Sequence, residues 1–293
     1  GGGRIGAGGR GRRSGRRRTG CPADPWPSDM GEALFERDGS LVTVVLDGQP
    51  QSAVDVDDPT RLDFEYVQHF ALAIEALAAD GPLRVTHVGG AGLTLARWLN
   101  HSRDGSPQIV LEPDAALTDA VRRELPLPRG HRIRVRPVDG LTGVAALRDA
   151  SADVVVLDAY AGGQVPPELG TLEWFGELRR VLAPGGLVLA NVADEPGMAY
   201  AARVAAGARE ALGHVAFLGL HEVLKGKRFG NLVLVATTHP LDLYTLRRST
   251  ASAPLPTGVM GWDEILRRRP GARPFSAAGG DTASSPPPPA RGA

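Results

Sequence analysis

The sequence is poor in the residues that define several common protein classes. It has one cysteine, Cys21, which excludes an internal disulfide and any multi-cysteine metal site. A reducing compartment, the cytoplasm, is therefore the expected location. No apolar run approaches the roughly 18 residues needed to cross a bilayer, and no hydrophobic signal-peptide core follows the arginine-rich start. No membrane association is expected. Lysine is confined to Lys225 and Lys227. The formal net charge is zero, but the first twenty residues carry seven arginines and no acid, so the remainder is acidic by about seven charges. That balance argues against a nucleic-acid-binding core. His214, His221 and His239 have no metal-ligand spacing, and no metal is expected.

Among 293 residues, 42% are hydrophobic, enough to bury a core. Residues 1–29 combine glycine, arginine and proline and read as a disordered leader. Residues 30–60 alternate β-branched runs with the turn signals Asp38-Gly39 and Asp47-Gly48, which predicts a small β unit. From 61 to 245, strand-like and helix-like stretches alternate, beginning with a helix that carries Leu62, Tyr66, Phe70 and Ile74 near one face. The connection KGKRFG, residues 225–230, reads as a hairpin that turns the last strand antiparallel. Residues 246–293 offer one short helix candidate and a proline-rich tail expected to be disordered.

The stretch LRVTHVGGAGLTLARWL, residues 83–99, is a buried strand, a glycine turn and a helix start. Such a turn faces a ligand with free backbone N–H groups and the positive end of a helix dipole. Gly90-Ala91-Gly92 supplies G-x-G, although Leu95 occupies the place of the third glycine of the dinucleotide fingerprint. The next strand, QIVLE, ends on Glu112, twenty residues after Gly92, where a carboxylate can accept from both ribose hydroxyls. A third strand closes on Asp139-Gly140, suited to an adenine amino group and a close ring, and a fourth, DVVVLD, ends on Asp158. Three successive strands thus finish in an acid at the sheet edge where open α/β sheets bind ligands.

Parallel strands followed by an antiparallel pair resemble the S-adenosylmethionine-dependent methyltransferase fold of class I. That resemblance implies an α/β, Rossmann-like, seven-stranded and mostly parallel sheet after a small N-terminal β domain. The stretch LDGQPQSAVDVDDPTRLDFEYV, residues 46–67, further resembles the N-terminal part of spermidine synthases, the polyamine aminopropyltransferases. The family resemblance implies S-adenosylmethionine or its decarboxylated form as substrate, a small-molecule acceptor and association into homodimers. Residue by residue, Gln51 and Tyr66 would line the site and Gly89, Gly90 and Gly92 would take the methionine-derived part. Glu112 would hold the ribose, Asp139 with Gly140 the adenine, and Asp158 would act on the attacking amine.

The chain departs from the family where the diamine would bind. Ala161 replaces the second acid of D-x-x-D, the acid usual in the glycine turn is missing from GGAGL, and Val67 stands where a histidine is expected. No acid in AYAGGQVPP substitutes, and Glu168 is the nearest candidate. Three readings stay open at this point. One is a transferase of aminopropyl or methyl groups with an acceptor other than a simple diamine. Another is a catalytically silent nucleoside-binding relative. The third, an NAD-dependent oxidoreductase, rests on G-x-G and Glu112 alone.

Overall fold

The computed structural model describes residues 26–28 and 31–290; the arginine-rich leader and Cys21 lie outside the described residues. Strands β1 (Trp26–Ser28), β2 (Gly31–Asp38), β3 (Leu41–Leu46) and β4 (Gln49–Asp55) form an antiparallel sheet in sequential order. Asp47 and Gly48, with φ of 47° and 73°, make the two-residue turn that joins β3 to β4, a geometry matched to strand twist. Expected within a disordered leader, Trp26–Ser28 instead pairs with the backbone of residues 31–33, and Pro27 sits on an edge strand, where proline is tolerated.

The second sheet is built from β5 (Val85–Val88), β6 (Gln108–Leu111), β7 (Ile133–Arg136), β8 (Ala152–Leu157), β9 (Leu182–Asp194), β10 (His214–Leu220), β11 (Gly230–Thr237) and β12 (Thr257–Gly261). Their order is β12-β10-β11-β9-β8-β5-β6-β7. The five strands from β9 to β7 run parallel, while β11 enters antiparallel between β9 and β10. The central strands are buried on both faces, as near-continuous apolar runs such as DVVVL and LVLANV require.

Helices α1 (Glu65–Leu77), α2 (Thr94–Ser102), α3 (Ala115–Glu124), α4 (Gly140–Ala145), α5 (Leu172–Val181) and α6 (Ala199–Leu212) alternate with these strands. Phe175, Leu178, Ala201 and Ala205 of α5 and α6 cover one face of the sheet. Phe70, Ile74, Leu95 and Leu99 of α1 and α2 cover the other. The short α7 (His221–Leu224) interrupts the expected hairpin, and α8 (Leu243–Ala251) and α9 (Trp262–Arg268) flank β12. Among the described residues no helix is long and apolar enough to cross a membrane.

The C-terminal part differs from expectation in three respects. The sheet has eight strands rather than seven, because β12 pairs with the free edge of β10. A boundary at 245 would cut α8, whose Leu246 is fully buried. The proline-rich tail is packed rather than disordered, with Phe275 in the core and Ser285 inaccessible to solvent. Discrete hydrogen bonds and one aromatic anchor, rather than an apolar periodicity, hold that segment.

The two sheets are joined at the glycine turn. Ser52 on β4 accepts from the Gly92 N–H at 2.7 Å, and Thr94 donates its hydroxyl to the Ala53 carbonyl at 3.0 Å. Leu117 and Val121 of α3 pack beneath Phe35, Val42 and Val54. Ser52→Ala leaves the buried Gly92 N–H without its partner and is expected to cost about 1–3 kcal/mol. Urea unfolding at neutral pH measures this, and an unchanged midpoint would remove the bond from what joins the sheets.

Candidate active site

The C-terminal ends of β5, β6 and β8 open into a cavity of about 510 Å³ that also reaches β4 and α1. It lies where the strand order reverses, the crevice in which doubly wound sheets bind ligands, and its volume suits a nucleoside-sized molecule. Gly89 forms its floor with φ of 81°, and a Cβ there would lie 2.3 Å from the carbonyl oxygen of Asp158. Only glycine permits that approach of the turn to the end of β8. At Gly90 a Cβ would stand 2.9 Å from Val110, and at Gly140 it would stand 2.5 Å from Val88.

Gly92 departs from the expectation. It does not line the cavity: its N–H is bound by Ser52, and a Cβ would stand 2.5 Å from the Ser52 hydroxyl. The small residue is required by the neighbouring sheet, not by a ligand. Gln51, Tyr66, Gly89, Gly90, Glu112, Asp139, Gly140 and Asp158 all line the cavity, so the structure brings together every other residue expected there.

Glu112 accepts from the Asp114 N–H at 3.1 Å; burial pushes its carboxyl up while that bond opposes the shift. Asp139 caps α4, accepting from the Thr142 N–H at 2.9 Å and the Thr142 hydroxyl at 2.8 Å, and these bonds hold it below the usual carboxylate range. Each of its oxygens keeps a further lone pair for a ligand. Asp114, not anticipated, caps α3 with one oxygen through Leu117 N–H at 2.8 Å. Its other oxygen is buried without a partner, and the residue lines the cavity.

At the opposite end stands Asp158. Burial pushes its carboxyl up to about 6, although hydrogen bonds from Asn191, at 3.1 Å, and from Tyr66 act to lower it. Burial and the adjacent Asp158 drive the Tyr66 phenol upward, so it stays neutral and donates. Tyr160 donates to the Asn191 carbonyl and accepts from the Ala193 N–H, both at 3.2 Å. The side-chain oxygen of Asn191 is buried without a partner beside Asp158. A bound amine would satisfy it.

Sequence reasoning missed Glu65, Asn191 and Tyr160. Glu65, beside Tyr66 on α1, lines the cavity and accepts weakly from Asn231 of β11 at 3.4 Å. Asn191 carried a signal in the sequence: it is the one amide in the apolar run LVLANV, and buried polar residues in such runs are informative. Besides Asp158, Glu65 of α1 and Glu168 of the loop after β8 also line the cavity.

The lining carries Glu65, Glu112, Asp114, Asp139, Asp158 and Glu168, and among the described residues no arginine or lysine. His87 lies beneath the glycine turn, bonded to Gln108 at 2.8 Å, and burial pulls its pKa down to about 4, so it adds no positive charge. The site is anionic and complementary to cations. Asp158, whose carboxyl burial pushes up to about 6, sits beside neutral donors in a cleft, an arrangement typical of proton-transfer groups.

No protein-family model matches the chain. Over 164 residues it is 25% identical to the polyamine aminopropyltransferase of Chromobacterium violaceum, an alignment covering 55% of this chain and 62% of that enzyme. The chain thus spans less than two thirds of that relative's length. The probable spermidine synthase of Corynebacterium glutamicum superposes with a TM-score of 0.80 at 28% identity, over 87% of this chain and 96% of that one. The spermidine synthase of Thermotoga maritima shares the fold, with a TM-score of 0.57 at 17% identity over 89% and 84% of the two chains. Sequence and fold together make the chain similar to the spermidine synthases, or polyamine aminopropyltransferases, within the class I methyltransferase-like fold.

Proposed function

We propose that this chain is a cytoplasmic aminopropyltransferase that uses decarboxylated S-adenosylmethionine as donor and a small-molecule amine as acceptor. The observation that carries this reading is the cavity lining, six carboxylates with no arginine or lysine among the described residues. The decarboxylated donor bears a sulfonium and an ammonium and no anion. S-adenosylmethionine brings a carboxylate that needs a cation or free amide donors, and the Gly92 amide is already taken by Ser52. The pyrophosphate of NAD makes the same demand twice, so the oxidoreductase reading is set aside.

In this reading Glu112 and Asp139 hold the nucleoside and Asp158 receives the acceptor amine. An ammonium has no free lone pair, so the acceptor must lose a proton before it can attack. A carboxyl of pKa about 6 is ionised at neutral pH yet more basic than an ordinary aspartate, which suits that task. Asn191 fixes Asp158 through its N–H and offers its unpartnered oxygen to a second N–H of the amine. The nitrogen lone pair forms the new C–N bond, and the C–S bond breaks with its electron pair moving to sulfur, leaving a neutral thioether. Glu65 and Glu168 are the carboxylates that would hold a distal cation of the acceptor.

Calorimetric titration of the full chain tests the donor. The decarboxylated form is expected to bind at least about tenfold tighter than S-adenosylmethionine, a difference of about 1.4 kcal/mol, with no binding of NAD. Equal or tighter binding of S-adenosylmethionine would overturn the proposal in favour of methyl transfer.

Asp158→Asn is expected to lower kcat by about 10²–10⁴-fold, the usual contribution of a general base. In the parent protein kcat/KM should rise with pH through about 6 as Asp158 ionises. Because its folded pKa is raised, the stability this carboxyl contributes is full below the ordinary aspartate value and lost as pH rises through about 6. The variant should therefore gain about 2–3 kcal/mol on the parent between pH 4 and 7. Urea unfolding at both pH values reads this, and a difference independent of pH would contradict a buried, proton-retaining Asp158.

Glu65→Gln should raise the KM for the acceptor about tenfold while the dissociation constant of the donor stays unchanged. The reverse pattern would assign Glu65 to the donor.

A further inference from the structure

One loop at the acceptor end is held by a segment more than a hundred residues away in sequence. After Asp158 the chain reverses at Ala161-Gly162-Gly163-Gln164, where Ala161 and Gln164 exchange backbone hydrogen bonds of 2.8 and 3.2 Å. Gly162 and Gly163 have φ of 58° and 79°, which sets the tight turn. Tyr160 pins the start of this loop to β9 through Asn191 and Ala193. Ser285 pins its end: the hydroxyl accepts from the Val165 N–H at 2.8 Å, and the Ser285 carbonyl accepts from the Gln164 amide. Ser285 is completely buried.

Pro288 then lies against Gly163, where an added Cβ would meet it at 3.4 Å, and Pro288 itself lines the cavity. The segment is tied down before it arrives. Phe275 packs on Tyr200 with ring centres 5.4 Å apart, under the guanidinium of Arg203 at 3.9 Å. Arg203 also pairs with Asp281. Glu173 accepts from the Ser276 hydroxyl at 2.8 Å and from the Ala277 and Ala278 N–H groups at 3.0 and 3.1 Å. Those bonds pull its carboxyl down to about 2, so the anchor stays charged across the working pH range of an enzyme.

We infer that residues 275–288 are a built-in wall of the active site: they clasp the loop 159–166 shut, with Ser285 as the positioning residue and Pro288 as the stop that limits how far an acceptor extends. Proline offers neither a charge nor an N–H, so this wall meets the carbon chain of an acceptor while its cation is met by the carboxylates. The clasp follows from the fold; the acceptor limit rests on the transferase reading above.

Hydrogen exchange on the full chain, on Ser285→Ala and on a chain ending at Asp281 tests the clasp. The shortened chain keeps Phe275, the Glu173 contacts and the Arg203 pair. In both variants the amides of Gly162 to Val165 are expected to exchange at least about tenfold faster, while those of β5 and β8 are unchanged. Unaltered exchange at 162–165 in both variants would overturn the clasp.

A series of amines of increasing length, assayed on full and shortened chains, tests the stop. The shortened chain should lower KM at least fivefold for the longest amines and leave the shortest unchanged; identical profiles would overturn the role of Pro288. Failure of both proteins to bind any adenosyl ligand would instead refute the transferase reading, and the exchange result would still decide the clasp.

Discussion

The close approach of two backbones, Gly89 after β5 and the Asp158 carbonyl at the end of β8, is the constraint on which the site depends. A Cβ at Gly89 would come within 2.3 Å of that oxygen, so the turn can lie there only as glycine. This contact brings the two halves of the cavity together. On one side are the ends of β6 and β7 with Glu112, Asp114 and Asp139, all suited to a nucleoside. On the other is Asp158, with Tyr66, Tyr160 and Asn191 around it. In the proposed transfer, a displaced turn would separate the groups that hold the donor from the group that removes the proton, and misplacement of about 1 Å is enough to slow catalysis substantially.

The second constraint is electrostatic. Six carboxylates share one cavity without a compensating arginine or lysine among the described residues, an arrangement that repels itself in the absence of ligand. The fold tolerates it by treating each acid differently. Asp139 and Asp114 work as helix caps and Glu112 is bonded to a backbone N–H, so their charge is partly met by the protein. Asp158 has only neutral donors, and burial leaves it closer to protonation than an ordinary aspartate. The acid left closest to protonation is the one that the proposed transfer requires to be basic, a common division of labour at active sites.

The parts legible in the sequence are those in which local pattern and function coincide. The buried strands β6 and β8 are short apolar runs, and the residue after each run is the one at the ligand edge, so Glu112 and Asp158 could be read without coordinates, while Asp139 was marked by the Asp-Gly pair that follows β7 and opens α4. Gly92 was misread because its constraint is non-local: the atom it must avoid belongs to Ser52, forty residues earlier and in the other sheet. Glu65 was overlooked for the same reason, since a helix start and a strand end meet only in the folded chain. The tail defeated a compositional reading altogether. Its order comes from Phe275, Ser285 and the three donors to Glu173, and a handful of specific bonds leaves no periodicity to detect.

The same non-locality changes the meaning of Ala161. Taken along the chain, its loss of a carboxylate dismantles the acceptor site. In the folded protein the loop that carries Ala161 is a two-glycine turn pinned at both ends, and Glu65 on α1 also lines the cavity. Glu65 is tied to Asn231 on β11, the antiparallel strand whose insertion beside β9 distinguishes this sheet from a simple dinucleotide-binding one. An acid on a helix start sits on a more rigid element than one on a loop, and sites built on regular elements keep their geometry better. Exchanging a loop carboxylate for a helix carboxylate keeps the charge that an ammonium requires while moving the point at which it is met. In the transferase proposed above, the acceptor would be defined by the path from Asp158 to Glu65 rather than by the two acids of a D-x-x-D loop.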